Sequence, residues 1–176
     1  MTFTKKYKWL LPMVIFIGVL LIGRVIRTGS LMFFFIPWNL FLAVIPLYFS
    51  FKLLQTQKKS VAMALLMAWL MFFPNAMYII TDLFHLQPRE RIPLWYDLIV
   101  LFSSAVLGVV VGFLSVMNVE RFLSPYVNRR IMPLIMLSFF MLCGYGIYLG
   151  RFMRWNSWDI IVQPFDLATD MIQDII

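Results

Sequence analysis

The sequence is poor in the side chains that build metal centres and cross-links, with one cysteine and one histidine among 176 residues. The single Cys143 excludes a disulfide framework and a cysteine metal cluster within one chain. His85 alone excludes a multi-histidine site, and one histidine with one aspartate supplies too few ligands for zinc. We therefore expect no metal site and no cofactor.

Charged residues are scarce as well, at 13% of the chain, whereas hydrophobic residues reach 62%. With a mean hydropathy of +0.88, the chain is too apolar for a soluble globular protein. Stretches of about 20 apolar residues are long enough to cross a hydrocarbon core about 30 Å thick as helices. The predicted fold is an all-α, polytopic transmembrane helix bundle that forms a single domain over residues 1–176. Its five predicted spans lie at roughly residues 9–29, 32–53, 60–81, 96–117 and 131–150.

Lysine and arginine are divided between opposite ends of these spans. All six lysines flank one set of span ends, together with three arginines, whereas the other set carries six arginines. The positive-inside rule assigns the richer set to the cytoplasm. We therefore predict a cytoplasmic N-terminus and an external C-terminal tail, whose apolar and acidic stretch is a candidate for the membrane interface.

The basic residues do not indicate nucleic-acid binding, although the net charge is +7. They flank loops rather than forming one continuous face, so membrane topology accounts for them. The first span resembles a signal peptide, but Arg24 and Arg27 stand where a cleavage site would lie, which predicts a retained span. We expect membrane lipid, and no nucleic acid, as a partner.

A polar stripe is predicted at the external end of the third span. Its members are Asn75, Tyr78, Asp82 and His85. Their spacing of three, four and three residues puts them on one face if the helix continues past Pro74. Since Asp82 and His85 lie one turn apart, we predict that the carboxylate orients the imidazole, as in a general base. These two residues are the candidate catalytic pair.

Two pairs of arginines, each three residues apart, are predicted at the same external end. They are Arg24 with Arg27 on the first span and Arg151 with Arg154 on the fifth. An arginine at hydrocarbon depth costs roughly 2.5 to 3.5 kcal/mol, so Arg24 is expected to face the interior of the bundle. Its candidate partners are Asp82, Asp97 and Asp159.

This external cluster has two interpretations. The arginines and aspartates pair as staples between helix ends, or they form a ligand site. Every external basic residue is arginine, whose planar fork matches phosphate and carboxylate, which favours an anionic ligand. The candidate ligand-binding residues are Arg24, Arg27, Asn75, Tyr78, Asp82, His85, Asp97, Arg151, Arg154, Asn156 and Asp159.

Small residues recur every four positions on two spans, at Ser104, Gly108 and Gly112 and at Gly146 and Gly150. Such stripes permit close approach of a neighbouring helix. We expect packing within the bundle, with a membrane protein partner or a second copy as the alternative. The segment 87–93, rich in proline and charge, is predicted to be a solvated loop.

Several segments resemble the bacterial multi-pass membrane proteins known as the domain of unknown function 1361 family. They are Phe73 to Leu86, Trp95 to Asp97, Gly146 to Asp159 and, on the second span, Asn39 to Leu47. The resemblance implies a multi-pass protein of the bacterial cytoplasmic membrane, and it carries no known reaction or ligand. The family pattern has a further hydrophobic span after the last segment, so we expect either a short member or a shortened chain.

Three functions remain open at this stage. Ion conduction is disfavoured because the fourth and fifth spans have no Asp, Glu, His, Lys or Arg between Asp97 and Glu120 or between Arg130 and Arg151. The favoured function is a pocket for an anionic ligand such as a phosphorylated lipid headgroup. The alternatives are an accessory or scaffold subunit whose cluster is a structural ion-pair network, and an embedded enzyme that acts on an outer-leaflet lipid.

Overall fold

The protein is a bundle of five long helices. The structure is a computed structural model that describes residues 2–155, 159–166 and 169–170, and within these residues it contains helices, turns and one isolated β-bridge. The helices are α1 Phe3–Thr28, α2 Met32–Leu53, α3 Lys59–His85, α4 Leu94–Leu123, α5 Met132–Phe152 and the short α6 Asp159–Val162.

The helices α1 to α5 are each long and apolar enough to cross a membrane, which confirms the predicted fold. They contain between 21 and 30 residues, and at 1.5 Å per residue even the shortest exceeds the thickness of a hydrocarbon core of about 30 Å. The chain is a multi-pass membrane protein. Short connections make successive helices antiparallel, as at the turn where Gly29 adopts a φ of 66°.

The helix α4 lies at the centre of the bundle and packs against α1, α2 and α3. In its most apolar stretch 56% of residues are buried, compared with 17% in α1 and 11% in α5. The peripheral helices therefore turn most of their apolar surface outward, as helices do when lipid is the solvent. The helix α5 packs mainly against α3.

Small residues set how closely α3 approaches its neighbours. A Cβ added at Gly112 of α4 would lie 2.7 Å from Cε of Met77, and one added at Gly146 of α5 would lie 2.7 Å from Cγ of Pro74. Gly108 is covered in the same way by Ile79. The helix that approaches these small residues closely is therefore α3 of the same chain. Assembly with a membrane protein partner or a second copy stays a prediction.

The helix α3 continues past Pro74, as the polar stripe requires, and then changes its winding. From Lys59 to Tyr78 it is α-helical, and from Ile79 to His85 it is a 3₁₀ helix. Side chains three residues apart eclipse one another in a 3₁₀ helix. Asp82 and His85 are therefore held on one side of the bundle, next to α2.

The two ends of the bundle differ in their polar contacts. At the lysine end, where α1 begins, Asn118 donates hydrogen bonds to Tyr7 Oη at 2.8 Å and to Ser50 Oγ at 3.1 Å, and accepts one from Lys6 Nζ at 3.2 Å. These bonds join α1, α2 and α4. The opposite end, where α1, α3 and α5 finish, is called the arginine end below, and it carries the candidate site.

Candidate functional site

The polar residues at the arginine end form two separate groups. One group, called the ion-pair cluster, consists of Arg24, Arg89 and Asp97 and joins α1 to α4. The other lines a cavity between α2, α3 and α5. The single external cluster expected from the sequence is therefore divided into two groups, which meet where Arg89 donates a hydrogen bond to the backbone carbonyl of His85.

The ion-pair cluster centres on Asp97, in the first turn of α4. Arg24 donates through Nε to Oδ1 of Asp97 at 2.8 Å and through Nη2 to Oδ2 at 3.2 Å, a bidentate pair. Both side chains are 1% exposed. Of the three aspartates considered as partners for Arg24, Asp97 is the one that pairs with it.

Arg89 completes the cluster from the loop that joins α3 to α4. Its Nη1 donates to Oδ2 of Asp97 at 2.8 Å, and its Nη2 donates to the backbone carbonyl of His85 at 3.2 Å. The predicted solvated loop is thus corrected at this residue, whose side chain is 20% exposed. The loop folds back onto Asp97, whose Oδ2 accepts hydrogen bonds from both Arg24 and Arg89.

A ring supports the two guanidinium groups of the ion-pair cluster. Phe33 lies 3.8 Å from the guanidinium carbon of Arg24 and 5.3 Å from that of Arg89, within the range of cation–π attraction. With two arginines and one aspartate, the cluster has a net charge of +1. Its carboxylate and its two guanidinium groups pair with one another, while Nη1 of Arg24 is buried without a hydrogen-bond partner among the described residues. The ion pairs favour a link between helix ends.

The cavity has a volume of about 860 Å³ and opens between α2 and α5. Five candidate residues predicted from the sequence line it together. They are Asn75, Tyr78, Asp82, His85 and Arg151. The spacing of the polar stripe on α3 therefore placed its four members on one surface, and α5 brings Arg151 to face them.

Asp82 is held by a residue that the sequence argument did not assign to the site. Nδ2 of Asn39, on α2, donates to Oδ2 of Asp82 at 2.9 Å, and Asp82 is 2% exposed. Among the described residues, both ion pairs are formed by Asp97, and Asp82 takes part in neither. The sequence signal for Asn39 was an amide in a span that is otherwise apolar.

His85 does not pair with the carboxylate of Asp82, contrary to the predicted general-base arrangement. Its Nδ1 lies 3.2 Å from the backbone carbonyl oxygen of Asp82, and its ring packs 4.8 Å from that of Phe35. The 3₁₀ winding brings the carbonyl of residue 82 beneath the imidazole, while the carboxylate turns toward Asn39. Because a carbonyl oxygen only accepts hydrogen bonds, this contact is a hydrogen bond when Nδ1 carries a proton.

The helix α5 contributes a cation and a hydroxyl group to the cavity. The guanidinium carbon of Arg151 lies 5.3 Å from the ring of Phe84 and within electrostatic range of Asp82. Tyr145 also lines the cavity, and its buried hydroxyl oxygen has no hydrogen-bond partner among the residues that the structure describes. Tyr145 was not predicted, since a tyrosine in an apolar helix carries no local signal of a site.

The remaining candidate residues lie elsewhere. Arg27 is exposed at the end of α1, and Arg154 is exposed just after α5, where its φ of 62° marks a sharp change of direction. Asp159 opens α6 and is not part of the cavity lining found in the described chain. Asn156 lies outside the described residues.

The cavity is polar at the arginine end and apolar along the rest of its length. Its apolar lining includes Trp38, Leu42, Met67, Met71 and Leu142. Convergent polar groups at one end of an apolar pocket are the usual form of a small-molecule site. No group of three potential metal-binding side chains occurs in the part of the chain that is described.

Comparison with known proteins gives one match. The model of a family described as "Protein of unknown function (DUF1361)" matches residues 38–176, which include most of α2, all of α3 to α6 and every residue that lines the cavity except Phe35. No curated protein and no solved structure matches the chain. With most of its length matched, the chain belongs to the DUF1361 family of proteins of unknown function.

Proposed function

We propose that the protein binds a phosphorylated lipid headgroup in the cavity between α2, α3 and α5. The observation that carries the proposal is that Arg151 lines the same cavity of about 860 Å³ as Tyr78, His85 and Tyr145. Asn39, Asn75 and Asp82 line it as well, and most of the remaining lining is apolar. Arginine presents several donors in a plane that fits two phosphate oxygens. An apolar cavity behind such a group suits the acyl part of the same ligand.

Access from the membrane supports a lipid as the ligand. The helices α2 and α5 both pack against α3 but make little contact with each other, so the cavity opens sideways between them. Exposed apolar side chains such as Trp38 and Leu142 flank this opening. A lipid would enter the cavity from the side without leaving the hydrocarbon core of the membrane.

The orientation and the location of the protein belong to the same proposal. The lysines at one end of the bundle and the arginines at the other favour a cytoplasmic N-terminus and an external arginine end. The cavity would then meet the outer leaflet of a bacterial cytoplasmic membrane. Labelling of a cysteine introduced at Arg27 in intact cells tests the orientation, and labelling only after permeabilisation would reverse it.

The binding proposal is tested by native mass spectrometry of the gently solubilised protein. Wild type is compared with Arg151→Gln, and with Arg154→Gln as the matched control, because Arg154 is exposed and outside the cavity. We expect wild type and Arg154→Gln to retain a phospholipid that Arg151→Gln loses, with equal thermal stability in all three. Retention that is equal in all three, or absent from wild type, would contradict the proposal.

A scaffold function is the second candidate, and the ion-pair cluster favours it. The pair of Arg24 with Asp97 is buried and fixes α1 to α4, which is what a structural network requires. An embedded enzyme has less support, because His85 contacts the backbone of Asp82 rather than its carboxylate. Under the scaffold function, Arg151→Gln would reduce thermal stability without changing retained lipid.

A further inference from the structure

The cavity holds an acidic side chain and a basic side chain that do not pair with each other. Asp82 and Arg151 both line it. Within the described residues, neither takes part in an ion pair. Asp82 receives a hydrogen bond from Asn39, which is uncharged and therefore forms no ion pair with the carboxylate. The two side chains face one cavity from α3 and from α5, with the space of that cavity available between them.

This arrangement disfavours a ligand with negative charge alone. Phosphate beside Arg151 would place a second anion close to Asp82 in surroundings of low dielectric constant, where like charges repel strongly. A ligand that also carries a positive group would meet both side chains with the opposite charge. Pairing and hydrogen bonding are what make a buried charge tolerable.

A hydrogen-bond acceptor in the cavity also lacks a partner. The hydroxyl oxygen of Tyr145 is buried and unpaired among the described residues. An ammonium group has three donors and no acceptor. It would match Asp82 and one or two hydroxyl groups of the lining, whereas a trimethylated ammonium group has no N–H to donate.

The length of the cavity indicates that this headgroup is attached to an acyl chain. On α3 alone the lining extends from Met67 to Pro74 before it reaches Asn75, the first member of the polar stripe. At 1.5 Å per residue, this apolar part is about 11 Å long, which is more than half of the half-thickness of a bilayer core. A small soluble phosphate ester would leave most of that length empty.

We infer that the cavity binds the zwitterionic headgroup of an amine-bearing phospholipid, with the phosphate beside Arg151 and the primary ammonium group beside Asp82. This inference rests on the proposed function and specifies the class of headgroup. It assigns Asp82 a direct contact with the ligand and Asn39 the position of that carboxylate.

The inference is tested by competition between headgroups. Wild-type protein is exchanged into mixed micelles that contain phosphatidylethanolamine, phosphatidylcholine and phosphatidylglycerol at equal mole fractions and with identical acyl chains, and retained lipid is counted by native mass spectrometry. We expect phosphatidylethanolamine to be retained over both others by about tenfold, the difference that one charge-assisted hydrogen bond supplies.

Two substitutions test the roles of the negative and the positive side chain separately. Asp82→Asn keeps the shape and an oxygen that Asn39 can bond, so we expect it to retain lipid and to lose the preference for phosphatidylethanolamine over phosphatidylglycerol. Arg151→Gln should lose all three lipids. Glu90→Gln, in the exposed part of the loop, is the matched control and should behave as wild type.

The outcomes distinguish this inference from the proposed function. Preferred retention of phosphatidylglycerol, or of phosphatidylcholine, by wild type would overturn the ammonium assignment and leave the phosphate site in place. Wild type that retains no lipid beyond the level of Arg151→Gln would overturn the proposed function itself. Displacement of the lipid by an equal concentration of free phosphoethanolamine would overturn the lipid assignment. The competition between headgroups in the wild-type protein tests the ammonium assignment even if the Asp82→Asn variant does not fold.

Discussion

The ion-pair cluster and the cavity place charged residues at the same end of the bundle, yet they use them in opposite ways. In the cluster, Asp97 receives three hydrogen bonds from two arginines. In the cavity, Asp82 and Arg151 share an open space without an ion pair between them. Charges that pair with one another hold helices together, although Nη1 of Arg24 has no hydrogen-bond partner among the described residues. Charges that do not pair and that border an open volume are available for a ligand.

The difference follows from where each group lies relative to the central helix. Asp97 opens α4, whose surroundings are closed by α1, Phe33 and the loop before it. Asp82 lines the cavity, which borders the gap between the loosely associated α2 and α5. The same residue types therefore form an ion-pair link between helices in the packed part of the bundle and a candidate binding site at its periphery.

The strongest challenge to this comparison is the substitution Asp97→Asn. It leaves Arg24 buried without its counter-charge, and loss of one partner of a buried pair typically costs about 3 to 5 kcal/mol. We expect a large loss of thermal and denaturant stability in detergent. Glu90→Gln, in the adjacent exposed loop, should be neutral. A stable Asp97→Asn variant that loses bound lipid would show that the two regions do not divide as described.

A smaller effect is expected where α5 meets α3. Gly146→Ala brings a methyl group against Pro74, and overpacking of this kind costs roughly 1 to 3 kcal/mol. Since Gly146 also lines the cavity, lipid retention should fall together with stability. Gly144→Ala is the matched control on the same helix, because a Cβ there meets nothing within 4 Å. Equal behaviour of the two variants would mean that close packing of α5 on α3 does not shape the cavity.

The sequence predicts the fold more completely than the site, for a physical reason. Hydrophobic length fixes the five spans, and helical spacing fixes which side chains of one helix share a face, as it did for Tyr78 and Asp82. Pairing between helices depends on their rotation about their own axes, which is set by contacts such as that between Gly112 and Met77. No local sequence pattern predicts the rotation of a helix about its own axis.

Residues contributed by different helices were accordingly assigned poorly. Arg24 could have paired with any of three aspartates, and its partner was decided by the packing of α1 on α4. Arg89 lies in a segment whose composition is typical of a solvated loop. Its hydrogen bond to Asp97 depends on the folded arrangement of the helices, which composition does not predict. Tyr145 faces the cavity because of the register of α5 on α3.

The smallest expected effect tests whether Asp82 is held in place for a ligand or simply buried. Asn39→Ala removes one hydrogen bond to the carboxylate, which costs about 1 kcal/mol or somewhat more because the acceptor is charged. If the cavity binds an ammonium group, the freed carboxylate loses its orientation, and retention of phosphatidylethanolamine should decrease by more than the change in stability accounts for. Gln57→Ala, exposed in the connection between α2 and α3 at the lysine end, is the control and should alter neither quantity. A variant with reduced stability and unchanged lipid retention would instead make the pair of Asn39 and Asp82 a second staple, and the contrast between the two regions would then rest on Arg151 alone.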